Sequence, residues 1–177
     1  MVDMAESIQL SKHHGLGNDF LVCLTDRLPL DAAQRAKVWC DRYTGIGADG
    51  LLFGLPADPA SGADVVMRLF NSDGSPAEIS GNGLRCFAQA VGRQRGQIES
   101  RINVSTPAGI RACFVRSTEA QETVVATVEM GIVSPGPEPD VHDLLAVVGA
   151  PVAAVKRWKT ADIGNPHVVC GVDEPEA

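Results

Sequence analysis

The feature that most constrains this chain is a series of seven short segments rich in β-branched residues, each bounded by turn-forming residues. They span 20–24, 51–55, 65–70, 102–105, 110–115, 123–133 and 167–172. Such segments read as strands. Several are separated by turns too short for a crossover helix, so their neighbours must pair antiparallel. The expected class is therefore α+β, not a doubly wound sheet. Helical patterning is confined to three places. The first helix is expected from Asp31, as N-cap, to Tyr43, with an apolar stripe of Ala32, Ala36, Val38 and Trp39 and a stop at Gly45. The second runs from Ser80 to about Gly92. Its Leu84, Phe87, Ala88 and Val91 fall at i, i+3, i+4 and i+7, while Arg85, Gln89 and Arg93 point mostly to solvent. A third begins at Asp140 and ends at Gly149-Ala150-Pro151.

Repeats and low-complexity tracts are absent. The most polar stretch between strands, residues 117–122, marks the expected domain boundary, giving one domain over 1–119 and the truncated start of a second over 120–177. Net charge excludes one class of function. With 15 Lys and Arg against 22 Asp and Glu, the chain carries −7, the wrong sign for a general nucleic-acid binder. No apolar run approaches the ~20 residues of a membrane span, and the first residues lack the apolar core of a secretory signal. Cysteines 23, 40, 86, 113 and 170 are odd in number and without metal-type spacing. They read as reduced, buried thiols of a cytoplasmic protein, and no metal site is expected.

Three Gly/Asn/Asp-rich clusters end strand-like runs: Gly15-Leu16-Gly17-Asn18-Asp19-Phe20, Gly45-Ile46-Gly47-Ala48-Asp49-Gly50 and Phe70-Asn71-Ser72-Asp73-Gly74-Ser75. Each alone reads as a turn. The first two lack the spacing of a dinucleotide fingerprint. A fourth cluster, Ser80-Gly81-Asn82-Gly83-Leu84-Arg85, is more informative. Each Gly costs a helix interior about 1 kcal/mol against Ala, so two in one first turn need a reason. One is packing too close for a Cβ. The other is a bare helix N-terminus whose N–H groups and positive dipole end hold an anion. Without a nearby lysine or P-loop spacing, that anion reads as a carboxylate rather than a triphosphate.

Together with Gly164-Asn165-Pro166-His167, these clusters resemble, in order and rough spacing, the diaminopimelate epimerase family, over nearly the whole chain. The resemblance implies a largely antiparallel mixed sheet wrapped around a central helix, repeated in two similar domains with substrate between them. It implies a cofactor-independent isomerase that inverts the α-carbon of LL-diaminopimelate to the meso form, in the route to lysine and peptidoglycan. It further implies a small-molecule amino-acid partner and a homodimer. Asn18, Asn71 and Asn165 match the family's substrate-contacting asparagines, and Gly81 and Asn82 match its backbone cradle. Gly50 stands where some members contact substrate through a side chain. The family's first catalytic cysteine precedes Gly-Asn-Gly, and here that position is Ser80. Its second lies on the second domain's central helix, beyond residue 177.

That departure matters chemically. Inverting a Cα without pyridoxal phosphate needs a base for a very weakly acidic proton and an acid on the opposite face. A thiol of reference pKa ~8.5, lowered by a helix N-terminus, suits the task. An alcohol is deficient mainly as base. Cys86 is no substitute, lying roughly 9 Å along the helix from Ser80 and rotated by about 240°. No His or Lys beside Ser80 supports a serine hydrolase. His13 and His14 face opposite sides of a strand and cannot chelate together. His167 is expected to order the loop bearing Asn165, and His142 to be a solvated helix residue. Glu78 and Asp73 read as solvated or turn-capping carboxylates beside the site. A related proline-racemase-like enzyme, expected to carry Gly-His-Gly, and a non-catalytic amino-acid-binding remnant are the rival readings.

Overall fold

The computed structural model describes residues 8–120, 122–138 and 157–171. They divide into two compact units, one ending at Met130 and the other beginning at Gly131. The first unit is built on β1 (Ser11–Gly15), β2 (Asn18–Leu24), α1 (Ala32–Cys40), β3 (Gly50–Pro56), β4 (Val65–Asn71), β5 (Pro76–Ala77), α2 (Gly81–Gln94), β6 (Ser100–Thr106), β7 (Gly109–Ser117) and β8 (Val124–Val128). Its strands form one sheet in the order β1-β2-β3-β4-β6-β7-β8, with β5 beside β4. The pairs β2/β3 and β4/β6 are parallel, and the others are antiparallel. The expected mixed, largely antiparallel sheet is therefore present.

The central helix is α2. Leu84, Phe87, Ala88 and Val91 are buried as the periodicity requires, joined by Cys86 and Ala90. They pack on Phe20, Val22, Leu52, Met67, Leu69, Ile102, Val104, Cys113 and Val115, so strands from both halves of the sheet cover one helix. Each fully buried Leu, Val or Phe contributes about 1.5–3 kcal/mol of transfer free energy. The opposite faces of β2 and β3 present Leu21, Cys23, Leu51 and Phe53 to α1, making a second cluster. Because α1 buries Ala32, Ala36 and Cys40, spaced i, i+4, i+8, Val38 does not belong to its apolar stripe and is 51% exposed. Asp31 holds the N-cap position, but its carboxylate pairs with Arg35 Nε at 2.7 Å instead of capping the helix.

Strand β8 pairs with β7 within this sheet. The first unit therefore extends past the expected boundary at 119, because β8 completes the cover over α2 through Val124, Ala126 and Val128. The expected strand over 123–133 ends at Val128. Edge strand β1 is not among the seven expected segments, although it carries His13 and His14 on opposite faces, as expected of strand neighbours. The second unit contains the antiparallel hairpin of β9 (Arg157–Asp162) and β10 (Pro166–Gly171), of which only β10 was expected. The third expected helix and His142 lie outside the described residues. Among the described residues, no helix is long and apolar enough to cross a membrane, and no three His, Cys, Asp or Glu side chains cluster for a metal ion.

Candidate active site

One end of the first unit's sheet gathers three of the four clusters. In the register, Phe20 lies beside Gly50 and Gly50 beside Asn71. Asn18, Asp49 and Asn71 therefore share that end, and Ser72 N–H donates to the Asp49 carbonyl at 3.1 Å. The β1–β2 turn is two residues long, with Leu16 at φ 57° and Gly17 at φ 89°. Both positive angles match a type I′ hairpin. It brings Gly15 over the start of α2: a Cβ built on Gly15 would lie 3.7 Å from Asn82 Cβ and from an Arg85 guanidinium nitrogen.

Ser80 is the N-cap of α2, with extended backbone, and its Oγ accepts the Gly83 N–H at 3.0 Å. Leu84 N–H donates to the Ser80 carbonyl at 2.8 Å. The N–H groups of Gly81 and Asn82 find no acceptor among the described residues. The two glycines differ in what they permit. A Cβ on Gly83 would come within 3.1 Å of Ser80 Cβ and 3.3 Å of its Oγ, crowding the cap. A Cβ on Gly81 would meet only ordinary contacts, 3.6 Å to the Met130 sulfur and 3.8 Å to Arg85. Close packing therefore accounts for Gly83, and at Gly81 it leaves a small opening beside Met130 and Arg85, next to two N–H groups without an acceptor among the described residues.

A polar chain flanks that opening. Arg85 donates to Asn82 Oδ1. Asn82 Nδ2 donates to Asn18 Oδ1 at 3.2 Å, and Asn18 Nδ2 donates to Asp49 Oδ2 at 2.7 Å. Asp49 also accepts from Asp19 N–H at 2.9 Å and from Arg42 at 2.7 Å. Arg42 donates to Asp19 at 2.6 Å, and Lys12 Nζ lies 3.1 Å from Asp19. The Arg42 hydrogen bonds, seconded by Lys12, hold the Asp19 carboxyl far below the usual carboxylate range. Burial pushes Asp49 up, but hydrogen bonds from Asp19 N–H, Asn18 and Arg42 outweigh it and lower its pKa. Both carboxyls are thus ionised near neutrality.

The remaining expected site residues fall as follows. Asn71 is exposed and folded into its own turn, Nδ2 donating to Ser75 Oγ at 3.0 Å. Asp73 closes the same turn, accepting from Ser75 N–H and Oγ at 2.8 and 2.6 Å. Glu78 is exposed. Gly50 has no room for a side chain, since a Cβ there would lie 2.9 Å from the Phe70 carbonyl. In the second unit, Asn165 follows Gly164 at φ 106°, and His167 Nε2 sits 3.1 Å from Asn165 Oδ1, fixing that loop as expected. Cys86 is buried, and burial pushes its thiol up to about 11. Cys23, Cys40 and Cys113 are also buried, whereas Cys170 is half-buried and not a core residue. His13 is buried against Gln89 and Ser11, and His14 is exposed. Three cavities, of about 220, 310 and 500 Å³, border the C-terminal part of α2 through residues such as Val91, Arg93 and Gln94. None of these three is lined by Ser80, Gly81, Asn82, Asn18 or Asn71.

Sequence reasoning missed Asp49 and Arg42, and it sent Arg85 to solvent. The signal for Asp49 is a carboxylate in a glycine-rich loop that leads into a strand, the same signal that singles out Asn18.

The model of the family described as diaminopimelate epimerase matches residues 10–134. The chain belongs to the diaminopimelate epimerase family. It is 37% identical over 183 residues to the diaminopimelate epimerase of Synechococcus elongatus, covering 97% of this chain and 62% of that protein. The diaminopimelate epimerase of Pelotomaculum thermopropionicum is also 37% identical, with 96% of this chain and 62% of that one covered. The chain thus spans about three fifths of the length of the curated relatives it matches. Solved structures of similar fold include a predicted epimerase from Pseudomonas aeruginosa, with TM-score 0.68, 16% identity, and 88% of this chain and 54% of that one covered. Another is a hydroxyproline epimerase from Agrobacterium vitis with bound trans-4-hydroxy-L-proline, with TM-score 0.63, 16% identity, and 91% and 50% covered. At such identities the likeness concerns fold alone.

Proposed function

We propose that this chain forms the amino-acid-binding part of a cofactor-independent epimerase that inverts the α-carbon of LL-diaminopimelate to the meso form, in lysine and peptidoglycan precursor synthesis. The observation that carries the reading is the start of α2, where the N–H groups of Gly81 and Asn82 have no acceptor among the described residues and Gly81 leaves room for a Cβ beside Met130 and Arg85. A helix N-terminus of this kind stabilises a carboxylate through its N–H groups and dipole. Gly81 and Asn82 take the α-carboxylate, and Asn18, Asn71 and Asn165 fix the substrate's other polar groups. The second unit, from Gly131, begins the second epimerase-like domain. The net charge of −7 has the wrong sign for a general nucleic-acid binder, and the cytoplasmic location and the homodimer are taken from the family resemblance.

Ser80 occupies the acid/base position. Its oxygen accepts from Gly83, and its own proton stays free for donation, so it can return a proton to a strongly basic carbanion. Removing one is a different matter. An alcohol's pKa lies far above what a helix end corrects, since that effect amounts to about 2 kcal/mol at most. We therefore expect no turnover of LL-diaminopimelate by this chain in a meso-product-coupled assay at substrate saturation. Turnover proportional to protein concentration and abolished by Ser80→Ala would overturn that expectation. The binding reading is checked separately by calorimetry. LL-diaminopimelate should bind with an affinity that Gly81→Val reduces at least tenfold, and equal affinities for the two proteins would refute it.

The serine itself favours a second reading, that of a non-catalytic amino-acid-binding protein. Solvent deuterium uptake at the ligand's Cα separates the two, because any exchange requires an acid/base group in contact with the carbon.

A further inference from the structure

The hydrogen bonds that flank the helix start run in one direction. Arg85 is donor-only, so Asn82 must turn its Oδ1 toward it. Asn82 Nδ2 then faces Asn18 Oδ1 at 3.2 Å, and Asn18 Nδ2 faces Asp49 Oδ2 at 2.7 Å. Asp49, as a carboxylate, is acceptor-only. At its far side Arg42, also donor-only, takes Oδ1 at 2.7 Å. Two cations thus point donors inward, and one carboxylate accepts from both ends. No amide in the chain can flip without setting donor against donor. Each asparagine spends one N–H and its carbonyl within the chain. What remains of each for a ligand is its second N–H, which has no acceptor among the described residues, and one lone pair of a carbonyl that already accepts a hydrogen bond.

We propose that Asp49 and Arg85 are positioning residues that lock the amides of Asn18 and Asn82 in one orientation, so that each keeps a spare N–H and this face of the site favours a hydrogen-bond acceptor, a ligand carboxylate, over an ammonium group. This rests on the amino-acid-binding reading for its ligand, but not for the locking. Asp49 bonds Asn18, and Arg85 bonds Asn82. Each acts through an asparagine, and the charges behind them supply the direction. The Asp49 carboxylate is in turn kept ionised by Arg42, by Asn18 and by the Asp19 N–H.

Side-chain amide NMR of the 177-residue chain tests the lock without any ligand. In the wild type, trans-hydrogen-bond couplings should connect Asn82 Nδ2 to the Asn18 carbonyl carbon and Asn18 Nδ2 to the Asp49 carboxyl carbon. Asp49→Asn leaves a single oxygen for three donors, from Asn18, Asp19 N–H and Arg42. The coupling at Asn82 should then fall by half or more, although neither Asn82 nor its direct partners have changed. Adding Asn18→Asp to Asp49→Asn restores an acceptor-only group between the two amides, and the Asn82 signals should return to their wild-type positions. A merely destabilised variant would not recover. Unchanged Asn82 signals in Asp49→Asn, or no recovery in the double variant, would overturn the proposal. Calorimetry supplies the ligand arm. Asp49→Asn should weaken LL-diaminopimelate binding about tenfold, and the double variant, with its lock rebuilt around a carboxylate, should remain weak. Wild-type protein that shows the couplings but binds no diaminopimelate would refute the proposed function and the carboxylate selectivity while leaving the lock standing. Binding by Asp49→Asn equal to wild type would refute the selectivity alone.

Discussion

Replacing Ser80 by cysteine tests whether the start of α2 is an electropositive, open site. The introduced thiol would occupy the N-cap, where Gly83 N–H already points at Oγ from 3.0 Å and the N–H groups of Gly81 and Asn82 lie unpaired. Charge at a helix N-terminus is stabilised by typically 0.3–1 kcal/mol, and by about 2 in partly buried geometries. At 1.36 kcal/mol per pKa unit, a reference thiol of ~8.5 should fall to between about 7 and 8.3. The natural thiols supply the contrast. Burial pushes Cys40 and Cys86 up to about 11 and Cys113 to about 12, and it also raises Cys23. Alkylation by iodoacetamide between pH 5.5 and 9.5, read peptide by peptide in a mass spectrometer, should show one fast thiol in Ser80→Cys with a midpoint in that lower range. The four core cysteines should stay unmodified at neutral pH. A midpoint at or above the reference value, or protection of the introduced thiol, would refute the reasoning. In either case the helix start would be neither electropositive nor open.

Three further outcomes are expected. Ser80→Ala removes the cap bond and should lower stability by about 1 kcal/mol, within the usual 0.5–2 for a lost N-cap, measured as a shift in urea midpoint at constant slope. Leu16 holds a positive φ of 57° while 95% exposed, so Leu16→Asn gives the turn the Asn-Gly pair it favours. That change should stabilise by about 0.5–1 kcal/mol, and a loss of stability would mean the leucine makes contacts in the native fold. His13 is held neutral in the native state, because burial lowers its pKa below 6.5 against the opposing Gln89 hydrogen bond. The unfolded chain alone takes up that proton, so stability is full above pH 6.5 and falls as pH drops from 6.5 toward the native value. Asp19 and Asp49, whose native pKa values are lowered, have their effect only below about pH 4. The urea midpoint should therefore fall between pH 7.5 and 5.5, and His13→Gln should flatten the dependence.

The legible parts of the fold were those specified by neighbours in sequence. The apolar face of α2 follows a 3.6-residue period and its start follows local capping chemistry, so both could be read without coordinates. The strands of the sheet interior carry β-branched residues on both faces for the same reason. Edge strand β1 was hidden because only His13 of Ser11-Lys12-His13-His14 turns inward, and a buried histidine satisfied by Gln89 resembles a polar loop in sequence. In α1 the stripe was drawn through Val38, although the helix buries Cys40, a residue the eye does not count as apolar. The site divides in the same way. Its asparagines stood in conspicuous glycine-rich clusters, whereas Asp49, Arg42 and Asp19 meet across 30, 23 and 7 positions, and no periodicity marks such pairs. Arg85 was correctly placed off the apolar face. What lies there is the hairpin tip at Gly15, which only the folding of β1 onto β2 brings over the helix.

If Ser80 stands at the acid/base position proposed above, its capping role explains why the motif can persist when the chemistry attached to it changes. The geometry that exposes N–H groups to a ligand is the geometry that needs an oxygen to cap Gly83. Serine is among the residues preferred at an N-cap, and cysteine is not, while as bases their order is reversed. Serine at this position therefore exchanges base strength for helix stability. Ser80→Cys should move two observables in opposite directions. Unfolding free energy should drop by about 0.5–1 kcal/mol as the cap weakens, while a thiol with depressed pKa appears. A side chain that serves only as a cap would lose stability and gain no reactive thiol. A catalytic position kept open for substrate would show both changes in one protein, and only the second of these outcomes is compatible with an epimerase site at the start of α2.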